Sequence, residues 1–393
     1  MRWFGRGKKE TRGWGELERL ILAANETAAG ISVSPDSALE YAPVLAAVRL
    51  ISESVAMLPV HLYESDGGDK RRADDHPLER LMTRLPNPWT TAFQMKADLT
   101  AALLLDGEAF ALVIRGRDGS VIEVTPLPRG SVSVETLEDL APQYRVSLAS
   151  GEQRILGPGE VLHLRGLGTL PNKGLSLVHQ GRHAIGLGMA LERHASTLMA
   201  KGARPGGVLE VPGMLSPEAL GRIKAGMAQG HGGSASGGTL VLENGTKYNP
   251  LTWNSVDIQF QEMRTFQVAE VSRIFRVPLS LLSEMSRVTH ANAESLGQQF
   301  LSLTLLPYLR LWTETIYRDL LKPQEQERYY AEFTTGALEM ADLAGRVDAY
   351  VKAIGGGLMT PSEARQRENL PPVAGGDVLR VPLNTESIGG ANA

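Results

Sequence analysis

Two long stretches of helical periodicity, separated by a short insert of different character, constrain this chain more than any other feature. From Ser176 to Lys201, Leu177, Ala184, Leu191 and Leu198 fall seven residues apart, the spacing of a seam against neighbouring helices. A second apolar line, Val178, Ile185, Met189 and Met199, runs beside it. Such a helix packs on more than one side, either inside a core or beside other helices in a ring. The second pattern starts after Asn254, an N-cap residue with Asp257 near the positive helix end, and stops at Val277-Pro278. Val256, Phe260, Met263, Val271 and Ile274 form its apolar face. Residues 203–253 between them read as a small α/β insert: a strand from Gly206 to Val211, a helix opened by Ser216-Pro217-Glu218, and a hairpin of Thr239–Leu242 with Lys247–Leu251. The low-complexity run Gly230–Gly238 is expected to be a loop.

The first 170 residues have a different texture. Val44, Val48, Ile51 and Val55 give one helical face within Tyr41–Met57, with Pro43 in the first turn and Pro59 past the end. Pro59–Glu64 is apolar enough for a strand, and the polar run Ser65–Asp75 with Gly67-Gly68 reads as a turn or loop. A second helix spans Thr91–Leu105 and ends at Asp106-Gly107. Ala109–Arg115 and Val121–Thr125 flank Arg117-Asp118-Gly119-Ser120, the strongest hairpin signal in the chain. Short strands follow near Ser131–Glu135, Tyr144–Leu148 and Val161–Arg165. The pattern is mixed α+β with antiparallel sheet.

Past the second long helix, Ser283–Ala293 is polar and reads as a loop. A third long helix runs from Asn292 to Leu321, kinked at Pro307, with Leu296, Phe300, Leu303 and Leu311 as buried candidates. A shorter helix, Asp342–Ile354, ends in three glycines. Thr360-Pro361-Ser362-Glu363 then has the spacing of a capping box.

Composition narrows the chemistry. The chain has no cysteine, which removes disulfides, thiolate metal sites and cysteine nucleophiles together. Its formal net charge of −4 is the wrong sign for a protein that holds DNA by neutralising phosphates. Residues 1–12 are an exception, with Arg2, Arg6, Lys8, Lys9 and Arg12. No apolar core follows them, so they are read as a solvated arm rather than a signal peptide, or as a contact for DNA or an acidic partner. No stretch has the roughly 18 apolar residues of a membrane span. Phosphate-loop, nucleophile-elbow and zinc-helix motifs are absent from the sequence. His179, His183 and His194 lie close to one helical face, but no acidic residue stands at an obvious ligand position beside the first two, and they are read as a solvated or interface face. Catalytic, metal and cofactor-binding residues are therefore expected to be none.

Several segments, taken in order, resemble the portal protein family of tailed bacteriophages, in its long-tailed-phage branch. They are Val48-Arg49-Leu50-Ile51-Ser52-Glu53-Ser54-Val55-Ala56 with Leu58-Pro59-Val60, then His76-Pro77-Leu78, Leu85-Pro86-Asn87-Pro88, Leu103–Phe110 and Pro126-Leu127-Pro128. The second half adds Ile274-Phe275-Arg276-Val277-Pro278, Asn292-Ala293-Glu294, Leu305-Leu306-Pro307, Leu358–Arg365 and Glu368–Pro372. Arg276 and Leu279 stand where the family commonly has Gly and Pro, and Asp106-Gly107-Glu108 where it has Gly-Asn.

The resemblance implies an α+β portal fold: a basic arm (1–12), a wing (13–175 and 294–340), stem helices (176–202 and 254–278), a clip (203–253), a tunnel-loop region (279–293), a helical crown (341–376) and a loose tail (377–393). It implies a non-enzymatic subunit of a homo-oligomeric ring, twelve-fold in the family, at one capsid vertex of a phage, prophage or gene transfer agent particle. Synthesis is expected in the bacterial cytoplasm. The implied partners are the major capsid protein, terminase, a head–tail adaptor and double-stranded DNA read without sequence specificity; no membrane or cofactor is implied. Arg287, His290 and Asn292 are the candidates for light contacts with the DNA backbone; alternatively they cap helices or pair across subunits. The competing expectations are a metal-dependent nucleic-acid-processing enzyme and a small-molecule-binding α+β protein.

Overall fold

The computed structural model describes residues 26–66, 69–148, 150–200, 207–210, 213, 216–221, 247–250, 254–282, 296–335, 343–367, 370–371 and 373–379. In chain order its helices are α1 (Pro35–Ala38), α2 (Ala42–Met57), α3 (Pro77–Thr83), α4 (Ala92–Asp106), α5 (Leu177–Gln180), α6 (Arg182–Ala200), α7 (Asn254–Phe275), α8 (Leu279–Leu282), α9 (Leu306–Asp319), α10 (Leu343–Gly355) and α11 (Pro361–Arg367). The strands are β1 (Val60–Asp66), β2 (Asp69–Arg72), β3 (Glu108–Arg115), β4 (Val121–Pro126), β5 (Val132–Thr136), β6 (Pro142–Ser147), β7 (Gln153–Leu156), β8 (Val161–Arg165), β9 (Gly207–Glu210), β10 (Lys247–Pro250) and β11 (Tyr329–Phe333). Two compact units result: Ala46–Leu177 with Phe275–Ala393, and Met1–Leu45 with Val178–Ile274.

The larger unit is built on an antiparallel sheet of order β4-β3-β8. Alternation along β3 buries Ala109, Ala111 and Val113. In β8, Val161, Leu162, His163 and Leu164 are all buried, so that strand is covered on both faces. Helices α4 and α9 supply Met95, Leu99, Trp312 and Ile316 to the core. The Trp312 indole N–H donates to the Thr100 hydroxyl at 3.0 Å, so the one polar atom of this wholly buried ring is satisfied. On the other side, Phe110, His163 and Tyr144 form an aromatic cluster that joins the sheet to a second one, β5-β6-β7.

Local chemistry explains the elements foreseen from sequence. Thr91 and Gln94 form a reciprocal capping box on α4, and Thr360 and Glu363 do the same for α11. Asp118 accepts from the backbone N–H and hydroxyl of Ser120, and Gly119 takes φ 80°, closing the β3–β4 hairpin. Gly107 ends α4 in the left-handed region, φ 85°, and its carbonyl accepts from Gly166. A Cβ on Gly174 would stand 2.0 Å from that same carbonyl oxygen, so two chain segments touch backbone to backbone there.

The structure departs from the expectations at four places. Part of the run expected as loop, Asp69–Arg72, is strand β2: Lys70 pairs with Glu332, Arg71 with Glu64 and Arg72 with Glu79, partners supplied by other elements. The helix expected over Ser176–Lys201 is interrupted at Gly181, a residue of poor helix propensity, into α5 and α6. The kink expected at Pro307 is instead a π-helical segment, Phe300–Leu305. Pro307 has no N–H to donate and its ring crowds the preceding turn; a wider turn relieves both. The shift in phase leaves Leu303 58% exposed rather than buried, while Phe300 is buried as expected. Strands β7 and β11 and helices α1 and α3 had no clear sequence signal.

In the smaller unit the buried line on α5 and α6 is Val178 and Ile185, both 0% exposed, with Ala184 and Leu191 half-buried. Gly186 and Gly188 let Thr27 and the Tyr41 ring lie against α6: a Cβ at either would meet those side chains at under 3 Å. Strand β10 pairs antiparallel with β9. The expected partner strand Thr239–Leu242 and the run Gly230–Gly238 lie outside the described residues.

Candidate functional site

Arg287, His290 and Asn292 lie outside the described residues, as does all of Ser283–Ala293. The two ends of that segment are described, and both are firmly held. At the first end, Phe275 and Val277 are buried, and Arg276 between them takes φ 56°. At the second, Phe300, Thr304 and Leu305 are buried in the π-helical segment. The Thr304 hydroxyl donates to the Arg276 carbonyl, tying one end to the other. Arg276 occupies the position just past a helix end where glycine adopts this conformation without strain.

The long helix α7 has a solvent-exposed stretch. From Gln261 to Phe266 six consecutive residues are exposed, among them Met263 at 45% and Phe266 at 54%, with the Arg273 guanidinium 5.5 Å from the Phe266 ring centre. Met263 was expected on a buried face. Gln267, Val271 and Phe275 bury one face of the second half of α7, while Met263 and Phe266 remain large apolar side chains without cover in this subunit. On α10, Val347 and Val351 form another exposed pair at i, i+4 spacing. The apolar lines read from sequence carried this signal, but not which of them a single chain would cover.

The buried ionisable groups serve the fold. Glu79 accepts from the Leu62 N–H at 2.7 Å and from Arg72 at 2.9 Å, with His61 Nδ1 at 2.7 Å. The Asp319 carboxylate accepts from the His163 N–H and from Arg318, while its carbonyl accepts from Arg115. Burial pushes the Tyr144 phenol up to about 12, so it stays protonated beside His163. Glu79, His163 and Asp319 are buried and each is matched by a partner. His179, His183 and His194 are exposed, and the Gly181 break separates the first from the other two. Among the described residues no group of three or more His, Asp or Glu side chains is placed to hold a metal ion. No described helix is long and apolar enough to cross a membrane.

A family model described as phage portal protein matches residues 42–369. The portal protein of Enterobacteria phage HK97 is 31% identical over 353 residues, covering 88% of this chain and 82% of its own length. The probable portal protein of Streptomyces phage phiC31 is 29% identical, covering 98% and 89%. Among solved structures, a chain from the neck of a native gene transfer agent particle, computed with C12 symmetry, superposes with a TM-score of 0.62 at 21% identity, over 90% of this chain and 99% of that one. On the extent of these matches the chain belongs to the phage portal protein family.

Proposed function

We propose that copies of this chain assemble into a closed ring, of about twelve subunits, that forms the head–tail connector of a phage or gene transfer agent particle. The observation that carries the reading is the family match over residues 42–369 together with a portal protein 31% identical to this chain. The family is structural rather than enzymatic. Double-stranded DNA passes through the ring during packaging and ejection, with terminase and then a head–tail adaptor docked on it and the major capsid protein around it. A net charge of −4 suits a channel through which DNA slides. Each cation fixed on a phosphate adds affinity and a salt slope of about −0.9, and a tight grip would stall movement.

Residues 176–202 and 254–278 serve as the stem and 203–253 as the clip, a reading supported by the compact unit that joins Val178–Ile274. The wing is 13–175 with 294–340, and the crown 341–376. Arg287, His290 and Asn292 make light backbone contacts from the tunnel loop, whose anchored ends at Arg276 and Thr304 would hold it against the passing duplex. The exposed Met263 and Phe266 of α7 pack against neighbouring subunits.

Mass in solution by light scattering, with negative-stain imaging, tests the assembly. The expected particle has a mass of about 510 kDa, from twelve chains of 42.5 kDa, and a central hole. Met263→Lys with Phe266→Lys is expected to abolish the ring while the far-ultraviolet circular dichroism of the subunit is kept. A compact wild-type dimer with metal-dependent nuclease activity would overturn the reading.

A further inference from the structure

Within the larger unit, a cavity of about 110 Å³ lies where α3 meets the β3–β4 hairpin and the turn 323–328. Four ionisable side chains line it: His76, Asp118, Lys322 and Glu325. His76 opens α3 as its N-cap, with the Leu78 N–H donating to its Nδ1 at 3.2 Å. That bond fixes the protonation of the imidazole. An accepting Nδ1 carries no proton, so the side chain is neutral with its hydrogen on Nε2. Nε2 is buried, makes no hydrogen bond and stands 3.6 Å from Glu325 Oε1. Glu325 is engaged elsewhere: its Oε2 accepts from the Lys322 N–H at 3.0 Å, and its Oε1 lies 3.4 Å from Lys322 Nζ. Lys322 Nζ has a second carboxylate, that of Asp118, at 3.9 Å.

We propose that His76 is an acid-sensitive switch, in which protonation exchanges its cap on α3 for an ion pair with Glu325 and loosens the first turn of α3 together with the turn 323–328. A proton on Nδ1 sets a second donor against the Leu78 N–H, and the helix loses its cap. The new charge draws Glu325 across the 3.6 Å gap and leaves Lys322 to Asp118. Because α3 also carries Glu79, whose carboxylate accepts from the Leu62 N–H at 2.7 Å, the loosened helix bears directly on β1. The surrounding charges are largely spoken for. Asp74 and Glu79 pair with Arg72, and Glu64 with Arg71. Asp75 and Arg80 line the outer cleft beside the imidazole, and on β11 the Tyr329 ring packs against it at 5.0 Å between centres. Burial, helped by Lys322, pushes His76 below its ordinary 6.5, against the pull of Glu325 and Glu79. The native chain therefore takes up this proton at lower pH than the unfolded one. The stabilisation is complete above about pH 6.5 and is lost as the pH falls below it. The switch belongs to the single subunit and stands whether or not the ring forms.

Hydrogen exchange of the full-length protein, read by mass spectrometry over a series from about pH 7.5 to about pH 5, tests the proposal. Labelling times are corrected for the intrinsic pH dependence of exchange. Peptides covering α3 and the turn 323–328 are both expected to lose protection by about fivefold on acidification, the size of a lost N-cap. A peptide from α2 is the control and is expected to keep its protection. His76→Asn retains a capping acceptor without a titrating group, and is expected to show no such loss. Glu325→Gln removes the charge that receives the protonated imidazole, and is expected to move the midpoint of the loss to lower pH. Equal losses in the wild type and His76→Asn would overturn the proposal, as would a wild type protected throughout. A midpoint unmoved by Glu325→Gln, or a loss at α3 without one at 323–328, would equally refute the exchange of partners.

Discussion

Lys96 is expected to make this protein more stable as the solution becomes alkaline. Its side chain is 4% exposed on α4, with Nζ donating to the Leu58 carbonyl at 2.6 Å and lying 5.8 Å from the Phe333 ring centre. Among the described residues no carboxylate is paired with it, and burial pushes the amine from its ordinary 10.5 down to about 8. Between those two values the unfolded chain carries a proton that the native one has released. Stability therefore rises with pH across the window. The full difference corresponds to about 3 kcal/mol at neutral pH, of which about 2 kcal/mol is recovered from about pH 8 to about pH 10. Lys96→Met removes the titration and leaves the Leu58 carbonyl one donor short, a pH-independent loss of about 1 kcal/mol. Urea unfolding of both proteins, followed by circular dichroism at several pH values, isolates the effect as their difference. The variant is expected to be the more stable near neutrality by about 2 kcal/mol, with that advantage gone by about pH 10. Parallel stability curves across the same range would refute the reasoning, since a solvated amine gives no slope there.

Arg276→Gly, which removes the strain of a side chain at φ 56°, is expected to stabilise the subunit by about 0.5–1 kcal/mol in the same unfolding assay. Gly174→Ala sets a methyl 2.0 Å from the Gly107 carbonyl oxygen, backbone that cannot yield, and is expected to cost about 2–3 kcal/mol. Gly130→Ala, at φ 74° but with nothing within 4 Å of the new Cβ, serves as its control and should cost about 1 kcal/mol.

The sequence by itself determined the elements whose causes are local. The caps at Thr91 and Thr360, the Asp118-Gly119 hairpin and the buried stripe of Val44, Val48, Ile51 and Val55 all depend on residues within a turn or two of one another. The ordered motifs that place the chain among portal proteins were also legible, because they mark the turns and helix ends of a shared framework. Tertiary structure decided what depends on distant partners. Strand β2 pairs with β1 from Tyr63 to Asp66 and its Lys70 reaches Glu332, 262 residues away in sequence, on β11, which finds its own edge on β1 from Val60 to Glu64. Of the two apolar lines on α5 and α6, Val178 and Ile185 are the fully buried pair, and the glycines at 186 and 188 admit Thr27 and Tyr41 against α6. Periodicity names the faces of a helix that seek cover, whereas only packing determines which face the chain covers itself and which, as at Met263 and Phe266 of α7, it leaves exposed.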